Sequence, residues 1–173
     1  MASFNVIFFD IGGVLLTNGW GHLSRKRASE RFGINLEETE VLHHYIFNIY
    51  EIGKISLDDY LDTVIFHTPR EFSRNEFREF MFSQSEELPG MLSWLKAWKK
   101  RSSVRLVSLN NEGRELNYYR IRKFHLDECF DAFISSCDVG MRKPDPGIYR
   151  LACHVAHTPP EQCIYFDDRQ MLV

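Results

Sequence analysis

Four clusters of residues in this 173-residue chain carry side chains suited to phosphate or metal chemistry, each at or near the end of an apolar run. Asp10 follows the run Phe4 to Phe9 and precedes Gly12, Gly13 and Val14. A carboxylate there could be a nucleophile or a metal ligand, and glycines let a backbone come close to an anion. Ser108, Asn110 and Asn111 close a second run, offering a hydroxyl and two amides to phosphate oxygens. Lys143 precedes Pro144-Asp145-Pro146, where its charge could neutralise a carboxylate and a phosphate together. Asp167 and Asp168 follow a third run; adjacent carboxylates repel unless a cation or hydrogen bonds compensate, and Mg2+ prefers oxygen donors of this kind.

Each cluster also has a plain structural reading. Asp-x-Gly-Gly can simply end a strand in a turn, and Asn-Asn is common in turns. Lys143 can be a surface lysine in a loop, and paired acids can cap a following helix.

The elements that must position these residues are legible in the apolar pattern. The runs Phe4 to Phe9, Val104 to Leu109, Ala132 to Ser135 and Cys163 to Phe166 read as strands buried on both faces. Ile148, Leu151, Ala152 and Val155 repeat at helical spacing behind an Asp145 cap and Pro146 in the first turn. A second helix starts near Pro89-Gly90, with Met91, Leu92, Leu95 and Trp98 as its apolar stripe and Lys99-Lys100-Arg101 as a solvated basic end. This alternation predicts an α/β fold, a doubly wound parallel sheet whose ligands bind beyond the carboxyl ends of the strands. From about Thr17 to Leu88 the pattern turns helical, as in Ser56 to Leu61 and Phe72 to Phe77, with no strand. The expected organisation is therefore a core of residues 1–16 and 89–173 interrupted by a small helical insertion, 17–88.

In order and spacing, Asp10-x-Gly-Gly-Val, Ser108 to Asn111, Lys143-Pro144 and Asp167-Asp168 together resemble the four motifs of haloacid-dehalogenase-like hydrolases. The resemblance spans nearly the whole chain. Gly53-Lys54-Ile55-Ser56 and Val139 to Pro144 look like the subgroup containing sugar-1-phosphate phosphatases. The resemblance implies a Rossmann-like core with a helical cap after the first strand, and a site between the two. It further implies that Asp10 forms an aspartyl-phosphate and that Lys143 and Asn110 share the developing charge. Gly12, Gly13, Ser108, Asn110 and Asn111 would surround phosphate. Mg2+ would be held by Asp10, the Gly12 carbonyl, and Asp167 or Asp168.

Three departures matter. The family's phosphatases usually carry a second aspartate two residues after the nucleophile, as acid and base; here that position is Gly12. A positioned acid or base contributes roughly 10²–10⁴-fold, so good leaving groups, such as anomeric sugar phosphates or acyl phosphates, fit better than alkyl phosphates. His22, His43 and His44 of the insertion are candidate proton donors that read equally well as surface or packing residues. In the second motif Leu109 separates Ser108 from Asn110, so either can face the site. Finally, only Arg169 to Val173 follow the acidic pair, where the resemblance implies a further helix and strand. A phosphate- or metal-binding module, or a shortened chain with little turnover, is accordingly the alternative. A dehalogenase using Asp10 is the lesser one, since it would not need the acidic pair.

Composition narrows the partners. A formal net charge of -3 provides no basic field for nucleic acid, and the first apolar run is too short to span a bilayer. The four cysteines lack CxxC spacing and nothing resembles a secretory signal, which points to reduced thiols in the cytoplasm. A small phosphorylated metabolite is the expected partner.

Overall fold

The computed structural model describes residues 4–172; the outermost residues of the expected core, 1–3 and 173, lie outside them. Strand β1 (Val6–Phe9) is the central element, and all four of its side chains are buried, as a strand covered on both faces requires. It pairs in parallel with β2 (Arg105–Asn110) on one side and β4 (Cys163–Phe166) on the other, while β3 (Ala132–Ser135) flanks β2. Phe9 lies opposite both Ser108 and Phe166, which brings the carboxyl ends of the three strands to one level.

Side-chain alternation divides the core. Ile7, Phe9 and Leu106 point to the face covered by Leu92 and Leu95 of α5 (Met91–Lys99). Val6, Phe8, Val107 and Leu109 point to the face covered by Ile148 and Ala152 of α8 (Pro146–Val155). Helix α8 begins as its sequence dictates, with the Asp145 carboxylate accepting from the Gly147 N–H at 2.7 Å and Pro146 in the first turn. At the basic end of α5, Lys100 and Arg101 are exposed, as a solvated helix end requires, and Lys99 pairs with Asp131 at the surface.

Between β1 and α5 stand four helices: α1 (His22–Phe32), α2 (Leu36–Glu51), α3 (Leu57–Val64) and α4 (Arg74–Ser83). Ser56 with Asp59 and Ser73 with Glu76 form reciprocal capping boxes that start α3 and α4. These helices share an apolar centre of Trp20, Tyr50, Tyr60, Leu61, Phe77 and Met81, joined by Leu116 of α6 (Arg114–Lys123).

The two chain segments leading into and out of these helices run together. The Thr17 N–H donates to the Glu86 carbonyl at 2.8 Å, and the Leu88 N–H donates to Leu15 at 2.9 Å. Arg120 of α6 fastens both, its guanidinium donating to the Thr17 carbonyl at 2.5 Å and the Ser85 hydroxyl at 3.0 Å. Its third partner is the Glu112 carboxylate at 3.0 Å, and both side chains of this pair are buried. Arg120→Met is therefore expected to lower stability by about 3–5 kcal/mol, because it strands a buried carboxylate. Chemical denaturation measures this. Adding Glu112→Gln to Arg120→Met should recover part of the loss; no recovery would mean that packing, not charge, dominates.

Candidate active site

Asp10, Asn110 and Asp167 stand at the carboxyl ends of β1, β2 and β4, so the sheet itself gathers them. Lys143 comes from the loop between α7 (Ser136–Val139) and α8. Its side chain is 1% exposed, with the ammonium 3.2 Å from Asp10 Oδ1 and 2.6 Å from Asp167 Oδ2. Tyr165 completes the cluster: its hydroxyl lies 2.7 Å from Lys143 Nζ and also contacts Asp167.

Burial pushes the Asp10 carboxyl up from 3.8 to about 6, against the pull of Lys143, and the charge of Asp167 adds to the rise. Asp167 goes the other way. Burial opposes its ionisation, but hydrogen bonds from Lys143, Tyr165 and the Arg169 N–H together outweigh burial and hold it low. One cation thus serves two carboxylates, and Asp168 adds a third. Oxygens of Asp10, Asp167 and Asp168 all lie within 4.8 Å of one another, an all-oxygen donor set suited to a small divalent ion, with Arg169 reaching Asp168 only at 4.0 Å.

The loop after Asp10 fits round this cluster. Gly13 has φ +75°, and a Cβ there would run into the Asp168 carboxylate. A Cβ at Gly12 would approach Asn18 Oδ1 at 3.0 Å, so the neighbour of position 12 is an amide, which cannot serve as an acid.

The residues of the second motif separate. Ser108 is fully buried within β2 and its hydroxyl has no partner, away from the cleft. Asn110 borders the cleft, with its side chain fixed by Ser135 at 3.0 Å and Asn117 at 3.1 Å. Asn111 also borders it, but its amide grips the Lys143 backbone, donating to the carbonyl at 2.9 Å and accepting from the N–H at 2.8 Å. Sequence reasoning missed this clamp and the part played by Tyr165, because neither residue type signals its partner.

Above Asp10 opens a cleft of about 340 Å³, lined from the core by Asp10, Gly12, Asn110 and Lys143 and from the helices by His43, Phe47 and Asn48. Arg142 bridges its two walls, 2.6 Å from the buried Glu51 carboxylate and 2.5 Å from Asn48 Oδ1. At the same junction Gly53, at φ +73°, lies so close to the Cys137 carbonyl that a side chain could not fit.

Among the described residues no helix is long and apolar enough to cross a membrane. A haloacid dehalogenase family enzyme from Bacteroides thetaiotaomicron superimposes with a TM-score of 0.80 at 20% identity, over 98% of this chain and 86% of that one. The same enzyme in complex with magnesium and inorganic phosphate gives 0.78 at 19% identity, over 98% and 87%. In sequence, a phosphorylated carbohydrates phosphatase of Thermotoga maritima is 28% identical over 171 residues, 94% of this chain and 75% of that protein. The bifunctional epoxide hydrolase 2 of Rattus norvegicus is 31% identical over 104 residues, but that match spans 58% of this chain and only 19% of that protein's length. The model of the haloacid dehalogenase-like hydrolases matches residues 4–171, and the chain belongs to that family.

Proposed function

We propose that the chain is a Mg2+-dependent phosphatase of small phosphorylated metabolites, with Asp10 as nucleophile. The observation that carries this reading is the placement of Asp10 at the floor of the cleft, 3.2 Å from the buried Lys143 and beside two further carboxylates. The phosphatase from Thermotoga maritima and the magnesium–phosphate complex of the Bacteroides enzyme support it. Residues 17–88 act as the cap, and 1–16 with 89–173 as the core.

An Asp10 oxygen attacks phosphorus; the bond to the ester oxygen breaks and an aspartyl-phosphate forms, which water then hydrolyses. Lys143 holds Asp10 ionised and faces the charge that develops on the phosphoryl oxygens. Asn111 fixes the Lys143 backbone, and Asn110 stands at the cleft wall. Asp10, the Gly12 carbonyl, and Asp167 or Asp168 would hold Mg2+, which when bound draws negative charge from the transferring phosphoryl group.

Gly12 has no proton to give, so the leaving oxygen departs without an acid from the nucleophile loop. Glucose 1-phosphate, acetyl phosphate and p-nitrophenyl phosphate are therefore expected to be hydrolysed at least about 10²-fold faster than glycerol 1-phosphate, compared as kcat/KM. Phosphate release with and without Mg2+ tests both claims. Equal rates across the panel would reject the leaving-group argument; no Mg2+-dependent release from any ester by a folded chain would favour a binding module, the reading that Gly12 supports.

A further inference from the structure

The cleft wall formed by the helices contains a histidine whose hydrogen position can be deduced from its partners. Trp20 Nε1 donates to the Tyr60 hydroxyl at 2.8 Å, and an indole N–H can only donate. Tyr60 is fully buried, and burial pushes its phenol above the ordinary 10.0, so it keeps its proton. His43 Nδ1 lies 2.8 Å from the same oxygen. No other described acceptor reaches that hydroxyl, and a buried hydroxyl proton left unshared is costly. The proton therefore points at Nδ1, which must be the bare nitrogen of the ring, and the ring hydrogen sits on Nε2.

Nε2 hydrogen-bonds to no described residue, yet it is not sealed off, and His43 lines the same cleft as Asp10. Phe47 backs the ring, with centroids 4.3 Å apart. Burial, followed by the charge of Arg25, keeps the ring neutral, pushing it from 6.5 down to about 3. Glu40 favours the charged form and His44 opposes it, but Glu40 is engaged by Arg25 at 2.8 and 2.9 Å.

We infer that His43 is a specificity-determining residue: the Trp20–Tyr60 pair aims its Nε2–H into the cleft, where it donates to a hydroxyl, ether or carbonyl oxygen of the group that carries the phosphate. This rests on the phosphatase reading of the cleft. It makes His43 a fixed donor and not a stand-in for the acid missing at Gly12, since a neutral ring with a bare Nδ1 has no proton to release at neutral pH. It also selects against substrates that present an ammonium there, which would meet the N–H and the Arg25 charge.

Nitrogen NMR of the histidine-labelled chain should find His43 in a single neutral form with hydrogen on Nε2, unchanged from about pH 5 to 8. A ring that titrates in this range, or carries its hydrogen on Nδ1, overturns the inference. Kinetically, His43→Leu should lower kcat/KM for glucose 1-phosphate relative to p-nitrophenyl phosphate by about tenfold, mainly through KM, as loss of one neutral hydrogen bond implies. His43→Gln, which keeps an N–H near the same place, should restore much of the ratio. A ratio unmoved by His43→Leu in a chain that releases phosphate overturns the His43 assignment alone. A wild-type chain that releases no phosphate from either ester overturns the reading of the cleft, and the assignment with it.

Discussion

Asp10→Asn is expected to lose at least about 10³-fold in kcat while gaining stability, since loss of a covalent nucleophile removes the chemical step itself. The gain follows from burial. The folded carboxyl, at about 6, binds its proton more tightly than the unfolded one at 3.8. Where the folded state binds more protons, stability falls as pH rises, here across the window from about 4 to 6. The penalty is complete above that window and amounts to about 3 kcal/mol at most. Without Mg2+, denaturation at pH 7 should thus find the variant more stable than wild type, with the difference vanishing below pH 4. A difference that does not change with pH would show that Asp10 is not held in the strained ionised state described. Added Mg2+ should narrow the gap at pH 7, because it stabilises only the chain that keeps all three carboxylates.

Lys143→Met carries the second large effect. The ammonium is the charge that lets Asp10 and Asp167 sit together in a buried cluster. Removing it leaves the two carboxylates facing one another, and loss of about 3–5 kcal/mol is expected. Turnover should fall by at least about 10²-fold, since a preorganised donor at the transferring group is lost. The stability loss should be smaller in Mg2+ than in chelator, whereas that of Arg120→Met, whose ion-pair partner is Glu112 and none of the three acids, should depend less on Mg2+. Thermal melts of the two variants with and without Mg2+ make the comparison; equal Mg2+ responses would separate Lys143 from the carboxylate cluster.

The sheet was open to reading because parallel strands leave apolar runs that end next to a polar residue, but the expected burial on both faces fails for β4, an edge strand that is only partly covered and leaves Phe166 exposed. Ala132 to Ser135 and Cys163 to Phe166 match the strands residue for residue, and the other two shift by one or two positions at their ends. Helix α6 was not open to reading. Its buried face contains Asn117 and Arg120 beside Leu116, so burial of polar groups erases the apolar stripe that marks a helix. The clamp that Arg120 forms on Thr17 and Ser85 was hidden for the same reason.

The site divides along similar lines. Asp10, Lys143, Asp167 and Asp168 stand out because their side chains carry charge next to apolar runs, and the structure gathers them. Ser108 has the right chemistry at the wrong register: strand pairing opposite Phe9 puts its hydroxyl inside the sheet. His43 could be named as a candidate from its type alone, but the direction of its hydrogen depends on Trp20 and Tyr60, 23 and 17 positions away. No local pattern records such a contact.

The most direct test of the central claim is acid-quench mass spectrometry of the chain mixed with Mg2+ and acetyl phosphate. The account predicts one added phosphoryl group on the peptide that contains Asp10, labile to hydroxylamine as an acyl phosphate is, and absent from Asp10→Asn. Steady phosphate release with no phosphoryl group captured on that peptide, or the same adduct in Asp10→Asn, would contradict it.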